Sequence, residues 1–143
     1  AWLRMEVPVV LGDMVRMEDG LPLRGYSARM IAVIFEFTPA EGRFPEYMQL
    51  VETLKADLAK AEGFISLERF ESITTPGKFV SLQFWRDEES VRKWRNLQKH
   101  RAAQKHGRER IFDSYRLRIA SVLRDYEKDR RDEAPQDSVE VHG

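Results

Sequence analysis

Trp94 and His100 are the two side chains of this sequence best suited to form one wall of a reactive pocket. An imidazole near its ordinary pKa of about 6.5 exchanges protons at neutral pH, which makes His100 a candidate general base. Trp94 supplies a broad apolar wall beside it. Glu36 is the third candidate catalytic residue, a carboxylate on an otherwise apolar stretch. Buried there, it must be paired or neutral. It therefore reads either as a structural ion pair with a cation such as Arg69 or Arg116, or as a pocket acid or base. Phe79, Trp85 and Asn96 are the candidate substrate-binding residues.

Each choice has a plainer reading. Trp94 and Val91 share a helical face and suit a core pair. His100 suits an exposed site on a basic helix. His106 suits a last-turn position favoured by the helix dipole, and His142 has no assigned role. Geometry also sets a condition. Six residues of unbroken helix turn by about 600°, which leaves His100 roughly 120° from Trp94. The two converge only if the helix breaks between Asn96 and Lys99, where Asn96 could cap a second helix.

The elements that must position these residues follow from pattern. Met30 to Thr38 is β-branched and aromatic, the signature of a strand covered on both faces. Ala32, Ile34 and Glu36 share one face, and Ile31, Val33, Phe35 and Phe37 the other. Pro45 suits a first helical turn, and Tyr47, Leu50, Val51, Leu54, Leu58 and Ala61 recur at helical spacing. Gly63 suits the stop. Phe64 to Ser72 and Phe79 to Trp85 read as strands joined by a turn at Thr75-Pro76-Gly77-Lys78. Asp87 can cap a helix whose first turn carries Glu88 and Glu89. That helical region runs to about His106, with Gly107 as its stop. Tyr115 to Tyr126 reads as the last strand.

Residues 1–29 are expected to be an extension outside the core domain. Within them, Val7-Pro8-Val9-Val10-Leu11 could form a short strand. Residues 30–126 form the domain, and residues 127–143 a charged, flexible tail. With 24 basic and 24 acidic residues, bulk charge favours neither nucleic acid nor a membrane. Eight Lys or Arg residues fall between Arg92 and Arg110. Trp94 is the only aromatic residue among them, and a solvated helix face is their reading. The absence of cysteine excludes disulfides and thiolate chemistry. The three histidines stand in no metal-binding motif, and there is no Gly-rich phosphate loop. No apolar run approaches the ~20 residues of a membrane span, and no signal pattern opens the sequence. The expectation is a cytoplasmic protein.

The order strand, helix, strand, strand, helix, strand is the split βαβ pattern of an α+β, ferredoxin-like fold. Its four-stranded antiparallel sheet carries both helices on one face. The other face, expected to hold Met30, Ala32, Ile34, Phe79 and Trp85, is too apolar to stand in water, so a symmetric homodimer is expected.

The segments Met30-Ile31-Ala32-Val33, Glu62-Gly63-Phe64-Ile65-Ser66-Leu67-Glu68 and Ser81-Leu82-Gln83-Phe84-Trp85-Arg86-Asp87-Glu88 resemble the antibiotic biosynthesis monooxygenase family. So does Trp94 followed by His100-Arg101-Ala102-Ala103-Gln104. The resemblance covers about residues 30–126. It implies a dimeric α+β barrel and a small monooxygenase that acts on an aromatic, polyketide or quinol-type substrate. The resemblance further implies molecular oxygen as co-substrate and no cofactor. It implies a pocket between the sheet face carrying Glu36 and the helix carrying Trp94. Trp94 matches a pocket Trp of such enzymes, and His100 falls where a polar aromatic residue sits, as a base for a phenol. A haem-degrading branch is the alternative. There the resemblance puts Glu36 at an Asn position and the axial His position at or near Gln104, between His100 and His106. A non-catalytic dimer that binds a small molecule is the other alternative.

Overall fold

The computed structural model describes residues 29–143, together with the short paired strands Met17–Glu18 and Leu21–Pro22. The strand expected at residues 7–11, and most of the expected extension, lie outside the described residues. The core runs β1 (Ile31–Pro39), α1 (Phe44–Lys60), β2 (Phe64–Glu71), β3 (Phe79–Trp85), α2 (Glu88–Asn96), α3 (Gln98–His106) and β4 (Phe112–Ser121). The strands form one antiparallel sheet in the order β2-β3-β1-β4. This is the ferredoxin-like α+β fold that the alternating pattern predicts.

Local chemistry fixes the boundaries. Pro45 lies in the first turn of α1, where its missing N–H costs nothing. Gly63 turns the chain into β2 at φ +79°, and a Cβ there would stand 2.1 Å from Ser90 Oγ. Glycine is thus required twice over, by the backbone and by the approach of α2. Asp87 caps α2: its Oδ1 accepts from the Ser90 N–H at 2.8 Å and the Ser90 hydroxyl at 2.7 Å. Arg86 donates to Asp87 Oδ2 at 2.9 Å and to Glu62 at 3.2 Å, which ties the cap to the start of β2. Burial works against the Asp87 carboxylate. The bonds from Arg86 and Ser90 outweigh it and hold its pKa below the ordinary value.

Register decides which residues meet. Directly opposed residues of antiparallel strands share a face. Ile31 pairs with Trp85, Phe35 with Ser81 and Phe37 with Phe79. Phe79 and Trp85 therefore lie on the helix-covered face, not on the bare one where the sequence pattern alone had put them. The bare face carries Ala32, Ile34 and Glu36 beside Val80, Leu82 and Phe84, with Phe70 on β2 and Arg116 and Arg118 on β4. Glu36 is paired there with Arg118 at 3.3 Å and Lys78 at 3.8 Å, rather than with Arg69 or Arg116.

Two clusters make the core. Ile31, Leu58, Trp85, Val91 and Trp94 form one. Phe35, Phe37, Tyr47 and Ile111 form the other. Phe79 belongs with the second and stacks on Phe37 and Phe44.

Three boundaries depart from expectation. The helical region breaks at Leu97, so α2 and α3 are separate helices. α3 ends at His106 with Gly107 as its C-cap, but the chain does not leave helical geometry there and continues through a π-helical turn, Gly107–Ile111. Gly107 has ordinary helical geometry, and its lack of a side chain lets the Phe112 ring approach to 2.8 Å from where a Cβ would stand. β4 starts and ends earlier than the apolar pattern suggested, because β1 is its ladder partner and runs out at Ile31, opposite Ser121. After Tyr126 the chain forms a last helix, α4 (Gln136–His142), none of whose residues is buried.

Candidate functional site

A cavity of about 510 Å³ lies between the helices and the covered face of the sheet, bounded by members of both core clusters. Val33, Phe35, Leu117 and Ile119 form its floor, and Leu54, Val91 and Trp94 line it from α1 and α2. A mainly apolar wall of this size with a few polar groups suits a small organic ligand. Met48, Glu52, Lys55 and Ala59 on α1 line it too and are exposed, which marks where it opens.

The break at Leu97 brings Trp94 and His100 together. Their ring centroids lie 4.9 Å apart with planes inclined by 30°. Leu97 is extended, at φ −61° and ψ 134°, and closes α2 while opening α3. Asn96 does not cap the second helix. Its Nδ2 donates back to the Arg92 carbonyl at 2.9 Å, and its Oδ1 accepts from Arg101. It is exposed and does not line the cavity.

The hydrogen bonds fix the state of His100. A guanidinium can only donate, so Gln104 presents Oε1 to Arg101, at 3.3 Å, and Nε2 to His100 Nδ1, at 3.1 Å. An amide Nε2 only donates, so His100 Nδ1 carries its lone pair there and the ring proton sits on Nε2. The backbone carbonyls of Trp94 and Arg95 accept from the ring. Burial is the largest influence and lowers the pKa to about 4, with Arg101 adding to it against the pull of the two carbonyls. His100 is therefore a neutral ring with its basic nitrogen engaged, not an imidazole at its ordinary pKa.

The remaining polar residues come from three directions. Ser81 and Gln83 rise from β3, and Gln83 Oε1 accepts from Trp85 Nε1 at 2.9 Å. Arg95 lines the cavity from α2; burial raises the pKa of Glu88 while the Arg95 charge opposes that rise. Arg69 on β2 donates its Nε–H to the Tyr47 hydroxyl at 3.0 Å, with the guanidinium 5.7 Å from the Tyr47 ring centre.

Of the six residues singled out from sequence, Trp94 and His100 line this cavity. Glu36 faces away from it, so the pocket lies against the sheet face opposite the one expected. Trp85 is wholly buried and Phe79 packs in the core; neither reaches the cavity. The pair Tyr47 and Arg69 was missed. Simple alternation from Phe64 would turn Arg69 outward, but a β-bulge between Phe64 and Ser66 reverses the parity and turns it inward.

The side chains at and beside the expected axial haem position are each engaged in hydrogen bonds. His100 is engaged as above, and His106 is bonded to Glu46 at 2.7 Å. The side chain at the expected axial position, Gln104, is buried and occupied by Arg101 and His100. Among the described residues no cluster of His, Asp and Glu is placed to hold a metal ion, and no helix is long and apolar enough to cross a membrane. Three cations of the basic stretch are bonded locally, Arg92 with Glu89, Lys93 with Glu62, and Arg101 with Asn96 and Gln104.

Comparison with known proteins agrees with this architecture. A 93-residue segment is 41% identical to the jasmonate monooxygenase ABM of Pyricularia oryzae, covering 65% of this chain and 43% of that protein. The chain thus spans less than half the length of that relative. Among solved structures, Rv0793 from Mycobacterium tuberculosis superposes with a TM-score of 0.61 at 16% identity, over 68% of this chain and 99% of that one. SnoaB, a cofactor-independent oxygenase from Streptomyces nogalater, superposes with a TM-score of 0.58 at 14% identity, over 68% and 97%. At these identities the structures establish the fold alone. The family model described as antibiotic biosynthesis monooxygenase matches residues 30–106, more than half of the chain. The chain belongs to the antibiotic biosynthesis monooxygenase family.

Proposed function

We propose that the protein is a monooxygenase that places one oxygen atom from molecular oxygen on a small, largely apolar substrate of aromatic, polyketide or quinol type, without a cofactor. The observation that carries this reading is the cavity in which a helix break brings Trp94 and His100 side by side. Family membership supports the reaction class, and the relative named a jasmonate monooxygenase adds a jasmonate-like molecule to the candidates.

In this reading the substrate supplies all four electrons that reduce O2, so that one oxygen atom enters the product and the other leaves as water, as when an anthrone becomes a quinone; none of the side chains lining the cavity is a redox centre. The protein's tasks are to hold the substrate, favour its electron-rich anion and limit water. Trp94 is the positioning wall. His100 stays neutral at pH 7 and takes a substrate proton only after Gln104 gives up Nδ1. Oxygen uptake by the flavin-free, metal-stripped protein, with product analysis, tests the reaction.

The same reading includes a homodimer formed through the bare face, where Ile34, Val80, Leu82, Phe84 and Phe70 are flanked by the Glu36, Arg118 and Lys78 charges. An apolar sheet face of this kind supports pairing with its own copy.

A further inference from the structure

We propose that Arg69 and Tyr47 form an anchor for a carboxylate, so that the cavity takes a monocarboxylic acid whose apolar body extends from them between the sheet and the helices. The inference deepens the reading of this cavity as a substrate site and rests on it.

Three observations converge. First, Arg69 is a cation in a cavity wall with no carboxylate partner among the described residues. The acids near it in the sheet are otherwise disposed. Glu68, its chain neighbour, is exposed and lies opposite Leu82 on the bare face. Glu71 accepts from the Gly77 N–H at 3.2 Å, and Glu36 is paired with Lys78 and Arg118 on the far face of the sheet. Glu46, one turn-position from Tyr47, is held by Arg43 and His106. Second, Arg69 uses only its Nε–H internally, on Tyr47. Its terminal N–H groups form the planar fork that matches a carboxylate. Third, that bond settles what Tyr47 offers. Its oxygen accepts from Arg69, so its own O–H points to some other acceptor, and none is found among the described residues. Burial raises the Tyr47 pKa against the opposing effect of Arg69, so the phenol keeps its proton at neutral pH.

The result is a cluster of donors without an acceptor, set in a mainly apolar cavity. Arg69 is half-buried, and an anionic two-oxygen head satisfies its terminal N–H groups and the Tyr47 O–H together. A carboxylate fits better than a phenolate. It is ionised at neutral pH without help, whereas a phenol with pKa near 10 needs a base, and the imidazole here has its basic nitrogen engaged by Gln104. The other polar residues do not compete for the role. Glu52 and Lys55 are exposed at the mouth with opposite charges, and Gln83 is bonded to Trp85.

The test is calorimetric titration of the full chain with 1-naphthylacetate and with its methyl ester, two probes of like shape that differ in the head. Charge-assisted bonds to the head predict that the acid binds roughly ten- to a hundredfold more tightly than the ester. Arg69→Met should erase that preference while leaving ester binding in place, which also reports that the variant is folded. Tyr47→Phe should reduce the preference, and Arg69→Lys should restore part of it. Equal binding of acid and ester, no measurable binding of the acid at millimolar concentration, or a preference that survives Arg69→Met would each overturn the anchor. Oxygen uptake separates this from the reaction itself. An acid preference without uptake keeps the anchor and removes the monooxygenase reading; uptake without an acid preference does the reverse.

Discussion

Lowering the pH from 7 to 5 should destabilise this protein through one residue, His100. Its imidazole has a pKa of about 4 in the fold, against 6.5 when unfolded. The folded state therefore binds fewer protons than the unfolded state throughout this range. Stability from the group is fully present above pH 6.5 and is lost as the pH falls toward 4. Integrating over the interval from pH 7 to 5 gives a loss of about 2 kcal/mol. The interval is chosen because the carboxylates with lowered pKa values, Asp87, Glu46, Glu62 and Glu89, titrate mainly below it. Glu88, raised by burial, acts in the opposite sense and is the same in both proteins compared. The assay is urea denaturation at closely spaced pH values for the wild type and for His100→Gln, which keeps a neutral hydrogen-bonding group. The wild-type curve should fall by about 2 kcal/mol relative to the variant between pH 7 and 5. Parallel curves would mean that His100 titrates normally, and the argument from burial and the Gln104 bond would fail.

Trp94→Ala should cost about 3–5 kcal/mol of stability, since the ring is buried against Trp85 and Val91, and should also weaken ligand binding in the cavity; thermal melts and titration on the same sample measure both. Leu82→Arg, on the bare face, should convert a dimer to a folded monomer at micromolar concentration, as sedimentation velocity would show; a wild type that is already monomeric would remove the dimer from the account.

Much of the fold was legible because the sheet and helices announce themselves by period. β3 runs from Phe79 to Trp85 as its alternation and flanking turns require, and Asp87 caps α2 as its position before Glu88 and Glu89 suggests. The condition on Trp94 and His100 was also readable, since only a broken helix lets residues six apart stack. What placed the break at Leu97 was not readable, because Asn96 looked like the better cap. Facing was harder than period. Phe79 and Trp85 alternate correctly, but only their pairing with Phe37 and Ile31 tells which side is covered. Glu36 shares a face with Ala32 and Ile34 as its alternation requires, but the pocket expected against that face lies on the other. Arg69 was hidden by a one-residue bulge that no composition signal marks. The pKa of His100 depends on burial, which the basic character of its helix disguises.

Oxygen uptake is the measurement that bears most directly on the central claim. The purified, metal-stripped, flavin-free protein would be mixed with a panel of hydroquinones, anthrones and cyclic keto acids. Uptake would be followed with an oxygen electrode, and the products by mass spectrometry under ¹⁸O₂. The account predicts uptake with at least one member, a single labelled oxygen atom in its product, and a marked loss of rate in Trp94→Ala. No uptake with any of them, from a protein that still binds the probes in its cavity, would contradict the monooxygenase reading and leave a binding module.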